Sequence, residues 1–230
     1  MAMQLLVGNK NYSSWSMRAW VLMRQLGIEF EEVQLRFDSD GRTGFREAIA
    51  RVSPAGRVPV LVDDGFAVWD TLAITEYLHE RFPDRGVWPA DAKARARARS
   101  LCAEMHAGFS ALRNLCPMII EASLPDVGRQ LWAEHPELRR DVERIDALWV
   151  ERLQESGGPC LFGSFSAVDA FFAPVCMRVT CYALPVSDEA QACVEQISSL
   201  PAAAEWNKAA LAEHDFVAQD EPYRRAPGNP

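Results

Sequence analysis

Three short segments carry residue types that suit an anionic ligand bearing a thiol. The first, Asn11-Tyr12-Ser13-Ser14-Trp15-Ser16-Met17-Arg18, sets hydroxyls where a strand-like run gives way to a helical one. A helix N-terminus leaves N–H groups unsatisfied and presents the positive end of the helix dipole, so it favours an anion. A serine hydroxyl there can also donate a hydrogen bond to a bound thiolate. The ordinary reading of one such serine, taken alone, is a helix N-cap. The second segment is Arg57-Val58-Pro59. A proline entering a strand removes a ladder donor, which points to an edge or a special turn. A cis Val58–Pro59 bond would turn the Val58 backbone outward to pair with an extended, peptide-like ligand. Only about 5–6% of X–Pro bonds in folded proteins are cis, so the dipeptide by itself favours trans. The third segment is Asp70-Thr71, just before a helical run. It reads as an N-cap, or as a clamp for the carboxylate or amino group of a ligand.

The elements that must position these residues follow from periodicity. Met3–Val7 and Ile28–Leu35 read as strands and Ser16–Leu26 as a helix stopped at Gly27. Phe45–Arg51 reads as a short helix. Val58–Val62 and Phe66–Trp69 flank Asp63-Asp64-Gly65, a hairpin with a turn signal. Thr71–Phe82 closes the series as an amphipathic helix. A parallel crossover followed by a hairpin gives a small mixed sheet with helices on it. In a sheet of that order the three segments meet at one end, so a single pocket offers two helix N-termini and an exposed strand backbone.

Pro83–Asp91, rich in Pro, Gly and Asp, reads as a linker. Beyond it the pattern is helical: Ala92–Cys116 as one long helix, then Glu137–Glu155, Ser166–Ala183, Asp188–Ile197 and Pro201–Glu213. The alternating arginines of Lys93–Ser100 read as a solvated face, not a nucleic-acid patch. The last residues, Pro222–Pro230, read as a loose tail.

Composition narrows the class. The chain has 230 residues, 24 basic and 32 acidic, for a net charge of −8, and its balance is that of a globular protein. The acidic excess argues against nucleic acid as a partner. No run reaches the ~18 consecutive apolar residues that a membrane span needs, and the N-terminus has no secretory pattern. The six cysteines show neither a CxxC pair nor a metal-type cluster with histidine. They are expected to be buried, reduced thiols of a cytoplasmic protein without a metal.

With these residues in place, the chain resembles the soluble glutathione S-transferase family over nearly its whole length. The resemblance is carried by Ser13–Glu31, Ser53–Leu61, Trp69–Leu78 and Gly163–Pro174. It implies a thioredoxin-like N-terminal domain with a mixed four-stranded sheet and an all-helical C-terminal domain. The corresponding division is 1–84, a linker at 85–91, helices over 92–215 and a tail from 216 to 230. The serine motif is most similar to the zeta class, that of maleylacetoacetate isomerase-like proteins, with Trp15 standing where that class has cysteine.

The resemblance places the catalytic serine on Ser13, with Ser14 beside it and Tyr12 as a further candidate. It implies a cis Pro59, backbone bonding of the cysteinyl part of glutathione by Val58, and binding of the γ-glutamyl end by Asp70 and Thr71. Arg57 falls near the glycyl carboxylate. Met105, His106, Phe109, Leu112, Arg113 and Arg178 are the candidates for the second-substrate wall, although core packing is the ordinary reading of most of them. Arg178 lies on the helix where zeta isomerases carry an arginine for a carboxylated substrate, at a different spacing. Ser166 and Asp169 match the family's capping box, a structural role. The implied activity is transfer of glutathione, as co-substrate, to a small electrophile by a homodimer. The alternatives are a glutathione-dependent cis–trans isomerase acting on maleylacetoacetate and a non-catalytic glutathione-binding module.

Overall fold

The computed structural model describes residues 3–37 and 43–225. Residues 226–230, the end of the segment expected to be loose, lie outside the described residues. β1 (Gln4–Val7) pairs in parallel with β2 (Glu31–Gln34) and antiparallel with β3 (Val60–Asp63), which pairs antiparallel with β4 (Phe66–Trp69). The order β2-β1-β3-β4 is the mixed sheet that a crossover followed by a hairpin requires. α1 (Ser14–Gln25) makes the crossover, α2 (Thr43–Ala50) leads into β3, and α3 (Thr71–Arg81) follows β4. On one side of the sheet Phe45 and Ile49 of α2 pack with Leu6 and Val60.

α1 is the hinge of the architecture. It packs on β1 and α3 on one side, and on α8 (Ala167–Tyr182) and α10 (Pro201–Leu211) on the other. A helix covered all round must be apolar all round, and Met17, Trp20, Val21, Leu22 and Met23 are fully buried. Each such side chain stabilises the fold by about 1.5–3 kcal/mol. The polar Ser13, Ser16 and Arg18 are buried in the same place, which marks them out.

The helical part comprises α4 (Ala92–Ala107), α5 (Ser110–Leu115), α6 (Pro125–Glu134), α7 (Pro136–Ser156), α8, α9 (Asp188–Ser199) and α10. The single helix expected over 92–116 is two. Phe109 adopts a left-handed φ of 52°, and a Cβ on Gly108 would fall 2.7 Å from the Glu104 carbonyl, so the chain turns there. α6 was not anticipated. The stretch Pro83–Asp91 is no slack connector. Val87 and Trp88 are buried, and the Val87 carbonyl accepts the Ala167 N–H at 2.9 Å. Asp169 and Ser166 form the capping box of α8, and Asp169 also accepts the Leu161 N–H at 3.0 Å.

The C-terminal segment up to Arg224 is fixed, against the expectation of a loose tail. The Glu213 carboxylate accepts the N–H groups of Lys10 at 2.7 Å and Asn11 at 3.2 Å. Asp215 holds the Asn9 side-chain amide at 2.7 Å, and Arg224 is buried between Glu221 and Glu121. The Trp206 indole N–H donates to the Lys10 carbonyl at 3.0 Å. The strap and α10 thus lock the loop that leads from β1 into α1. Among the described residues no helix is long and apolar enough to cross a membrane.

Candidate active site

With the loop over residues 9–12 locked, Ser13 is set at the N-cap position of α1, yet its hydroxyl makes no capping bond. The simple N-cap reading therefore fails. Ser13 Oγ and Ser16 Oγ are hydrogen-bonded at 2.7 Å, and Ser16 Oγ accepts the Gly8 N–H at 3.1 Å. A Cβ on Gly8 would fall 2.4 Å from the Phe37 ring, which would have to move to admit it. Ser14 Oγ accepts from Arg178 Nη2 at 3.4 Å.

Tyr12 points elsewhere. Its hydroxyl lies 2.8 Å from the Glu221 carboxylate and 2.9 Å from the Asp215 carbonyl, and accepts the Val217 N–H. Burial first, then the bond to Glu221, pushes the phenol pKa well above its usual value. The side chain closest in sequence to the serines is thus a fastening for the C-terminal strap.

The Val58–Pro59 bond is cis, as is Gly158–Pro159. Among the described residues no backbone hydrogen bond engages Val58, whose main chain is therefore open to a ligand. Asp70, at φ 74°, caps α3 through its carboxylate, which accepts the Leu72 N–H at 2.8 Å. Its other oxygen lies 3.3 Å from His106 Nε2. Thr71 is fully buried, and its hydroxyl has no partner. A buried donor left unpaired costs about 1–3 kcal/mol.

These groups face two adjoining cavities. The larger, about 580 Å³, is lined by Ser13, Ser14, Arg113, Met118, Arg178 and Asp220 among others. The smaller, about 250 Å³, is lined by Pro59, Trp69, Asp70, Thr71 and His106. Trp15, Arg57 and Val58 border both. The expected wall of the second-substrate site thus divides. Arg113 and Arg178 face the larger cavity, and His106 faces the smaller one. Met105, Phe109 and Leu112 line neither and lie in the core, because α4, the turn after it and α5 direct these apolar side chains inward.

The larger cavity is electropositive. Arg178 is buried, donating to the carbonyls of Cys116 at 2.8 Å and Pro174 at 3.1 Å. Burial pushes its pKa down to about 10, and that of Arg18 down to about 9, with Arg113 repelling both, so both remain charged at neutral pH. The Trp15 ring has the Arg18 guanidinium 4.4 Å and the Arg113 guanidinium 5.7 Å from its centre. Trp15 is a plate between cations, not a nucleophile. All six cysteines are buried and unbridged, with none on either cavity wall. Sequence reasoning missed Ser16, Trp15 as the partition and the strap residue Asp220. The i, i+3 spacing of Ser13 and Ser16 was the only signal available.

Comparison with known proteins bears on the fold. Residues 12–81 match the model of the glutathione S-transferase N-terminal domain. Maleylacetoacetate isomerase of Rattus norvegicus is 29% identical, over 70% of this chain and 72% of that protein. The Mus musculus enzyme is 34% identical over 45% of this chain, which spans about half its length at 48%. A solved glutathione transferase homolog from Burkholderia GL BGR1, with bound glutathione, superposes with a TM-score of 0.68 at 25% identity, covering 90% of this chain and 96% of that one. Residues 12–81 thus form a domain of the glutathione S-transferase N-terminal type, and nine-tenths of the chain shares its fold with that glutathione transferase homolog.

Proposed function

We propose that the chain is a glutathione transferase, in which residues 1–84 bind glutathione, 85–91 connect, and the helices over 92–215 wall the second substrate. The observation that carries this reading is the Ser13 hydroxyl, free of any capping duty and facing a cavity beside the open Val58 backbone. Thr71 and Asp70 take the γ-glutamyl end, with the orphan Thr71 hydroxyl donating to its carboxylate. Val58 pairs with the cysteinyl backbone beside Pro59, and Arg57 meets the glycyl carboxylate. A free thiol has a pKa of about 8.5, so at neutral pH the nucleophilic thiolate is a minority species. The Ser13 O–H, with the α1 N-terminus, stabilises the thiolate as its proton passes to water. The sulfur lone pair forms a bond to the electrophilic carbon, and the leaving group departs with its electron pair.

A second reading has its own observation. Arg113 and Arg178 present two cations to the larger cavity, which suits a carboxylated substrate. Glutathione-dependent cis–trans isomerisation of maleylacetoacetate would use the same thiolate, adding to the double bond and leaving after rotation. The buried, unbridged cysteines support a reducing, cytoplasmic setting. Exposed Phe66 and Trp69 on β4 offer apolar surface for a homodimer.

One assay separates these readings. The protein is incubated with glutathione and either an aryl halide or maleylacetoacetate, and free thiol is counted. Conjugate formed with loss of thiol supports the transferase. Isomerised product with thiol conserved supports the isomerase. Glutathione binding with neither outcome leaves a non-catalytic module and overturns both.

A further inference from the structure

We infer that Ser16, inside α1 and out of reach of any ligand, is a positioning residue that donates its proton to Ser13 and so frees the Ser13 proton for the thiolate. The inference rests on Ser13 as the thiol's hydrogen-bond donor, and goes beyond it by naming the group that makes Ser13 available.

Ser13 Oγ and Ser16 Oγ are 2.7 Å apart, so a single proton lies between them, and either hydroxyl can supply it. Ser16 is fully buried, and its oxygen already accepts the Gly8 N–H at 3.1 Å. Among the described residues its own proton has no acceptor other than Ser13 Oγ. If Ser13 donated to Ser16, the Ser16 proton would be a buried donor without a partner, an unfavourable arrangement. If Ser16 donates to Ser13, every group is satisfied. The Gly8 N–H goes to Ser16, the Ser16 O–H goes to Ser13, and the Ser13 O–H is left to point into the larger cavity that Ser13 lines. Each donor in such a chain polarises the next, so Ser13 becomes a stronger donor than a lone hydroxyl.

The test reads the pKa of glutathione's thiol in the complex, followed by the ultraviolet absorbance of the thiolate. Wild type is compared with Ser16→Ala, Ser16→Cys and Ser13→Ala. Affinity for S-methylglutathione, which has no thiol to ionise, is measured on the same proteins. The expected result is that Ser16→Ala raises the bound thiol's pKa by about half a unit to one unit, with a roughly three- to tenfold loss of kcat/KM at neutral pH. Ser16→Cys, which keeps a weak donor and the fold's volume, is expected to lie between Ser16→Ala and wild type. S-methylglutathione affinity is expected to stay within about twofold of wild type, a margin below the net worth of one hydrogen bond. A thiol pKa unmoved in both Ser16 variants while Ser13→Ala raises it would overturn the relay and leave Ser13 standing. Loss of S-methylglutathione binding without a pKa change would make Ser16 structural and overturn it as well. An unmoved pKa in Ser13→Ala would remove Ser13 and the relay together.

Discussion

Tyr12 Oη lies 2.8 Å from the Glu221 carboxylate, a bond that closes a loop of more than two hundred residues and fastens the C-terminal strap over the N-terminal loop. Glu221 is also held by the buried Arg224, which in turn reaches Glu121. The phenol is therefore part of a buried, charge-assisted network, on a residue that also lines the larger cavity.

Tyr12→Phe should accordingly separate stability from chemistry. Removing the hydroxyl leaves Glu221 short of a donor and the Val217 N–H short of an acceptor. Stability to urea should fall by about 1–3 kcal/mol. Conjugation rate per folded molecule should be kept. Collapse of turnover with stability unchanged would return Tyr12 to the thiol.

Thr71→Val removes the orphan hydroxyl while preserving shape. In the free protein it should be neutral or slightly stabilising, because an unpaired buried donor disappears. Glutathione affinity should fall about ten- to a hundredfold, the worth of one hydrogen bond to a charged group. Calorimetry on the two proteins reads both halves of this expectation. Equal affinity would mean that the hydroxyl meets water and not glutathione.

Asp169 gives a pH dependence whose sign can be worked out. Burial pushes its carboxyl from 3.8 up to about 6, against the hydrogen bonds from Leu161 and Ser166 that pull it down. Between those values the folded chain binds more protons than the unfolded one, so this group's stability contribution is complete below about pH 4 and is lost as pH rises through about 6. Asp169→Asn lacks that titration. The stability gap between wild type and the variant should therefore widen on acidification from about pH 6 to about pH 4, by up to about 3 kcal/mol. A narrowing gap in urea melts would show that the hydrogen bonds outweigh the burial.

The succession of strands and helices, and so a small mixed sheet, was legible because the apolar period changes from one element to the next and Asp63-Asp64-Gly65 marks the hairpin. The serine segment, Val58-Pro59 and Asp70-Thr71 were legible as candidates, since their residue types are chemically distinctive. Their roles were not, because a capping serine and a thiol-binding serine look alike in sequence. The difference lies in the bond that Ser13 does not make to its own helix. Long-range partners were invisible for the same reason. Nothing local in Glu213 or Glu221 announces that it meets Lys10 or Tyr12. The break at Gly108-Phe109 was hidden by the helix formers on either side of it. Pro125 at the start of α6 was a start signal, set against a glycine, Gly128, inside a helix of ten residues.

The account turns on Ser13 holding the thiolate, and titration of bound glutathione's thiol in wild type and Ser13→Ala tests it most directly. The prediction is a bound-thiol pKa below the free value of about 8.5 in wild type, returning toward that value in Ser13→Ala by about one unit or more, with S-methylglutathione still bound. An identical thiol pKa in the two proteins, with binding intact in both, would contradict it.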